Sequence, residues 1–151
     1  MERRSVVHGI TALVFFGVLW LGATASFAQD LPYTEGSVWS VSMIRVKPGM
    51  DEVYFRDVLP LRKQIYEEAK KQGLVISSHT LRGSASGRDD YDVMFLVEFK
   101  NWAALDGIEA KFRAIESKLI GSEDKQVQLM TKRADVRDIV GSKMMQELIT
   151  K

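Results

Sequence analysis

The chain has 151 residues, about one domain's worth, with 46% hydrophobic and 27% charged side chains, the balance of an ordinary globular protein. It has no cysteine, which excludes a disulfide framework, a thiolate metal site and a cysteine nucleophile. A formal net charge of +1 argues against the basic surface of a nucleic-acid binder.

The first segment reads as an address. Glu2, Arg3 and Arg4 form a charged start, Ile10 to Gly22 carries no charge, and Ser26-Phe27-Ala28 places small side chains at a cleavage site after Ala28. That is the layout of a secretory signal peptide over residues 1–28, so the protein is expected to be exported, periplasmic or secreted, and free of the membrane once cut. The competing reading is an uncleaved anchor, since Ser5 to Gln29 lacks any Asp, Glu, Lys or Arg. Cleavage removes Glu2, Arg3 and Arg4 and leaves a formally neutral chain in which His79 is the sole histidine. Residues 29–36 read as a leader and residues 37–151 as a single domain.

Ser37 to Val46 is rich in Val, Ile and Trp and reads as a strand, stopped by Lys47-Pro48-Gly49. Asp51 and Glu52 suit a helix N-terminus. Tyr54, Val58, Leu61, Ile65 and Ala69 then recur at helical steps, with Pro60 predicting a kink near Val58 and Gly73 a stop. Leu74 to Arg82 reads as a second strand, Gly83 to Asp90 as a polar loop, and Tyr91 to Lys100 as the clearest strand of the chain. Asn101 caps the next helix, whose apolar side is Leu105, Ile108, Phe112, Ile115 and Leu119, with Gly121-Ser122 ending it. Glu123 to about Arg137 reads as helix, with Val127, Met130 and Ala134 as its apolar side. Gly141-Ser142 reads as a break, and Met144 to Thr150 as a fourth strand that pairs an otherwise open edge.

The order β-α-β-β-α with a final β is that of an α+β, ferredoxin-like split β-α-β fold with an antiparallel sheet. Two helices cover only one face of such a sheet. Val93, Phe95, Val97 and Phe99 mark the covered side, joined by Val38, Ser40, Ser42, Ile44 and Val46, and by Leu74, Ile76, Ser78 and Thr80. The other face carries Trp39, Val41, Met43, Met94, Leu96, Val75 and Leu81, too apolar for open water. The expected cover is the same face of a second subunit, closing two sheets into a barrel. The assumed register sets Leu81 near Asp92 and His79 near Met94.

Arg45-Val46-Lys47-Pro48-Gly49-Met50 leading into the first helix resembles the strand-turn-helix opening of the dimeric α+β barrel superfamily. Asp89-Asp90-Tyr91-Asp92 before the long strand and Glu98-Phe99-Lys100-Asn101-Trp102 at its end add to the likeness, which covers about Ser37 to Leu119. The stretch from Arg137 to Lys151 resembles the tails of exported members without an assigned activity. The resemblance implies a homodimer, and members include cofactor-free oxygenases, haem-degrading enzymes and haem peroxidase relatives. Haem-degrading members share a histidine on the second long helix; no histidine follows His79 here, so haem is not expected and no other cofactor is either.

Candidate chemistry is sparse. Imidazole is the side chain suited to proton transfer or ligation near neutral pH, so His79 is the one candidate catalytic base or ligand, against a plain strand histidine. A multi-histidine metal site is excluded. Arg45 and Asp92 fall on one face of neighbouring strands, as an anion clamp or as an ion pair. Trp39, Met43 and Met94 line either a pocket for a flat apolar ligand or an interface core. Asn101 and Trp102 match the asparagine and tryptophan of cofactor-free oxygenases in type, though a helix start suits capping and packing. Asp89-Asp90-Tyr91-Asp92 lacks the spacing of a calcium loop, and Gly83 to Arg88 has no phosphate-loop lysine after it. The sequence therefore points to an exported dimer that binds a small apolar or anionic molecule between subunits, with oxygenase-like turnover as the family-level expectation. The alternative is a non-catalytic dimer whose inter-sheet face is packed solid.

Overall fold

A computed structural model describes residues 31–151 apart from Arg88; the expected signal segment lies outside the described residues. Four strands form one antiparallel sheet: β1 (Tyr33–Val46), β2 (Ser77–Arg82), β3 (Val93–Phe99) and β4 (Arg137–Thr150). Their order across the sheet is β2-β3-β1-β4. Between β1 and β2 runs a continuous helical stretch made of α1 (Asp51–Val53), a π-helical turn (Tyr54–Val58) and α2 (Leu59–Lys71). A 3-10 turn (Trp102–Leu105), α3 (Ile108–Ile120) and α4 (Glu123–Val136) connect β3 to β4. This is the ferredoxin-like split β-α-β arrangement, with α4 as an added helix.

The kink expected from Pro60 takes the form of the π turn immediately before it. Proline brings no N–H and its ring crowds the preceding turn, and a wider turn relieves both. Tyr54, Val58, Ile65 and Ala69 from the expected stripe are buried. The helix ends where Gly73 adopts φ +69, which lets its own N–H reach the Lys70 carbonyl and that of Leu74 the Ala69 carbonyl. This paired closure needs a left-handed residue and explains the glycine.

Val93, Phe95, Val97 and Phe99 are all buried under the helices, and pair with Ile44, Ser42, Ser40 and Val38. With Tyr54, Ile65 and Ile115 they form the core. Each fully buried aliphatic side chain there contributes about 1.5–3 kcal/mol.

Several boundaries differ from expectation. β1 begins at Tyr33, so part of the expected leader is strand: Tyr33 pairs with Thr150 and Glu35 with Leu148. β2 begins only at Ser77, and strand alternation does not extend to the residues before it. Val75 is therefore in the core and Ile76 is exposed, the reverse of the sequence assignment. Gly141-Ser142 is not a break. β4 runs straight through it, with a register shift between Gly141 and Ile139 that leaves Val140 as the extra residue of a bulge. The inward side of α4 is Gln126, Leu129, Arg133 and Val136, while Val127 and Met130 are 56% and 66% exposed.

A second irregularity lies at the other end of β1, where the register slips between Glu35 and Val38. Side chains of β4 seal it. Glu147 Oε2 accepts from the Ser37 amide at 3.2 Å and from its hydroxyl at 2.9 Å, and Gln146 Nε2 donates to the Gly36 carbonyl at 2.6 Å. A Cβ on Gly36 would stand 2.6 Å from Glu147 Oε2, so any side chain there would push the carboxylate away from Ser37.

Candidate functional site

The sheet face away from the helices gathers the residues singled out by sequence. Paired residues of antiparallel strands share a face. Trp39 pairs with Glu98 and Met145, Val41 with Leu96 and Lys143, and Met43 with Met94 and Gly141. On the other side of β3, His79 pairs with Leu96 and Leu81 with Met94. The register between β2 and β3 thus differs by two residues from the assumed one. An even slip keeps every side chain on its expected face.

Trp39, Met43, Met94 and Leu96 are half-buried by one another, and Val41 at the centre is 5% exposed without belonging to the core cluster. Leu81 and Met145 at the margins are 54% and 47% exposed. His79 is exposed, and its ring stacks with that of Trp39, 6.4 Å between centroids and 27° from parallel. A general base is oriented by a hydrogen-bonded partner; no carboxylate bonds this ring.

Arg45 and Asp92 sit at one end of the same face, but neither ion pair nor hydrogen bond joins them among the described residues. Asp92 instead accepts from two backbone amides, Val46 at 3.0 Å and Ala85 at 3.2 Å. Arg45 donates to the Gly87 carbonyl. Both residues thereby pin the polar loop to the sheet. Asp90 works with them: it accepts from the Ser86 amide and hydroxyl and from the Tyr91 amide, and these bonds hold its carboxyl below the usual carboxylate range. Asn101 accepts from the Ala104 amide at 3.0 Å and is a cap, while Trp102 is 49% exposed.

No protein-family model matches the chain, and no curated protein does. Among solved structures, the chain is similar to HapK from Hahella chejuensis, at 13% identity over 73% of this chain and 91% of that one, with a TM-score of 0.41. It is also similar to an EthD-like protein from Ralstonia eutropha, at 12% identity over 76% of this chain and 92% of that one, with a TM-score of 0.37.

Sequence reasoning missed a second group, on the helix-covered side. The Arg62 guanidinium lies over the Phe95 ring, 3.5 Å from its centroid, and 5.8 Å from that of Tyr66. Burial lowers its proton affinity and raises the pKa of the Tyr66 phenol. Arg133 and Arg137 are close enough to Arg62 for their charges to act on it. The signal was present in the helical spacing: Arg62 follows Val58 by four residues and precedes Tyr66 by four, and Arg133 stands four after Leu129 and three before Val136. A charged residue inside a buried stripe marks such a group.

Proposed function

We propose that the chain is an exported homodimer in which two copies of the uncovered sheet face close into an α+β barrel and hold a small, mostly apolar molecule between them. One observation carries this reading. Trp39, Val41, Met43, Met94 and Leu96 make a continuous apolar surface on the face opposite the core cluster, and the described helices pack on the other side. A patch of this kind needs cover in water. A second copy supplies a matching one by two-fold symmetry. His79 and Arg45 border this surface and would meet a polar group of the bound molecule.

The reading is one of binding rather than turnover. Among the described residues no hydrogen bond orients His79, Asn101 serves as a cap, and Trp102 is 49% exposed. Sedimentation of the protein cut after Ala28 tests the assembly: twice the chain mass at micromolar concentration supports it, and a monomer overturns it. Native mass spectrometry of protein purified from its own cells tests the ligand. Added mass on the dimer supports binding between sheets, whereas a bare dimer favours the solidly packed alternative.

A further inference from the structure

Arg133 on α4 and Arg137 at the start of β4 line one groove, and Arg62 on α2 lies close enough for the charges of both to act on it. Arg137 pairs with the core residue Val46 across the sheet, which puts it on the covered face. Arg62 Nε, Arg133 Nη2 and Arg137 Nη1 are all buried without a hydrogen-bond partner. No ion pair involves any of the three among the described residues. Glu116 is the carboxylate whose charge reaches Arg133, and it makes no ion pair with it. Asp138 borders the same region but lies 3.7 Å from Lys47 Nζ. Burial and the mutual repulsion of Arg133 and Arg137 both depress the proton affinity of Arg133.

A folded protein rarely leaves buried guanidinium nitrogens such as Arg62 Nε, Arg133 Nη2 and Arg137 Nη1 without a hydrogen bond, because each has lost water without an acceptor in exchange. Three like charges brought together add repulsion. Both penalties vanish if an anion fills the space. Guanidinium is the group best matched to one, since its planar fork donates two parallel bonds to a carboxylate or phosphate. Stacking on Phe95 fixes the Arg62 plane in advance. A groove of about 390 Å³ lies beside the cluster, lined by Arg133, Arg137 and Asp138 with the apolar Met130, Ala134 and Ile139. It has room for an apolar body attached to the anionic head.

We infer that Arg62, Arg133 and Arg137 form a binding site for the oxyanion of a small molecule, a carboxylate or a phosphate, whose apolar part lies in the groove between α4 and the start of β4. This site is on the opposite side of the sheet from the proposed dimer face and stands whether or not that face closes.

Isothermal titration of the protein cut after Ala28, with inorganic phosphate in one arm and benzoate in the other, tests it at constant ionic strength. Saturable binding in either arm supports the site, and the arm that saturates more tightly identifies the head group. Arg133→Lys keeps the charge and loses the fork, and is expected to weaken binding at least about tenfold. Arg133→Leu is expected to abolish binding while leaving the anion-free protein as heat-stable as before or more so, because it removes an unpaired buried charge. Absence of saturation in both arms overturns the inference. So does an Arg133→Leu protein that melts earlier yet binds as the parent does, since the arginine would then be a packing element. The mass of the assembly, measured on the same samples, reports on the dimer separately.

Discussion

The rings of Trp39 and His79 lie 6.4 Å apart and near parallel, spanning β3 diagonally on the face that none of the described helices covers. The tryptophan is thereby braced on the apolar surface, beside the central Val41, where a rigid aromatic contributes strongly to association. Trp39→Ala is expected to weaken the dimer by about 2–4 kcal/mol, the range of a central aromatic anchor. Sedimentation velocity over a dilution series reads this as a shift of the monomer–dimer midpoint, with circular dichroism confirming that each chain still folds.

His79 is exposed on that same surface, its ring stacks on Trp39, and no hydrogen bond orients it among the described residues, so it is not expected to ligate haem. Haemin added to the parent protein and to His79→Ala is expected to give the same absorption spectrum. A Soret band that shifts in the parent alone would assign the ring as a ligand.

Asp92 holds two backbone amides, one on β1 and one in the loop after β2. Asp92→Ala leaves both donors without an acceptor, at a cost of about 1–3 kcal/mol. Urea denaturation measures the loss. Hydrogen exchange localises it, with faster exchange expected at Val46 and Ala85.

Gly36 and Glu147 contest one position. Gly36→Ala drives a methyl group toward Glu147 Oε2 and breaks the carboxylate's bonds to Ser37, costing about 1–2 kcal/mol. Glu147→Ala removes the clash together with the bonds, so the double variant is expected to be no less stable than Glu147→Ala alone. A thermal-melt double-mutant cycle shows the non-additivity directly.

Asp57 links the π turn to α4. Its carboxyl is held below the usual range, first by the hydrogen bond from Arg56 and then by that from Lys132. The folded state therefore takes up a proton less readily than the unfolded chain. The stability this contributes is complete above the unfolded carboxylate pKa and is lost as pH falls through the lower folded one. Melting temperature of the parent is expected to fall in that acid window more steeply than that of Asp57→Asn. The difference is small, because the ion pairs are exposed and screened.

Much of the architecture was legible because burial imposes periodicity. β3 alternates through Val93, Phe95, Val97 and Phe99, and no other packing satisfies that pattern. Face assignment survived a wrong register for the same reason, since the error was an even number of residues. What failed were positions where tertiary contacts override local pattern. Val75 is drawn into the core from a turn, and Gly141 looks like a break but is tolerated within a bulged strand whose partner is β1. The arginine cluster stayed hidden because charge in a sequence reads as surface, and only the packing of α2, α4 and β4 against one sheet brings the three together. That Arg45 and Asp92 do not pair was also unreadable, because both side chains found backbone partners in a loop whose path the sequence does not specify.

The central strand β1 borders β4 along most of its length, and Ser37 meets Glu147 across a separation of 110 residues. During synthesis the earliest strand must wait for the latest one. Until then its outer edge is open to any passing extended chain, another nascent copy included. Assembly is thus a closure event rather than a progressive build-up, slow by contact order. A holding chaperone that keeps the growing chain apart from its neighbours would guard the very edge that β4 finally occupies.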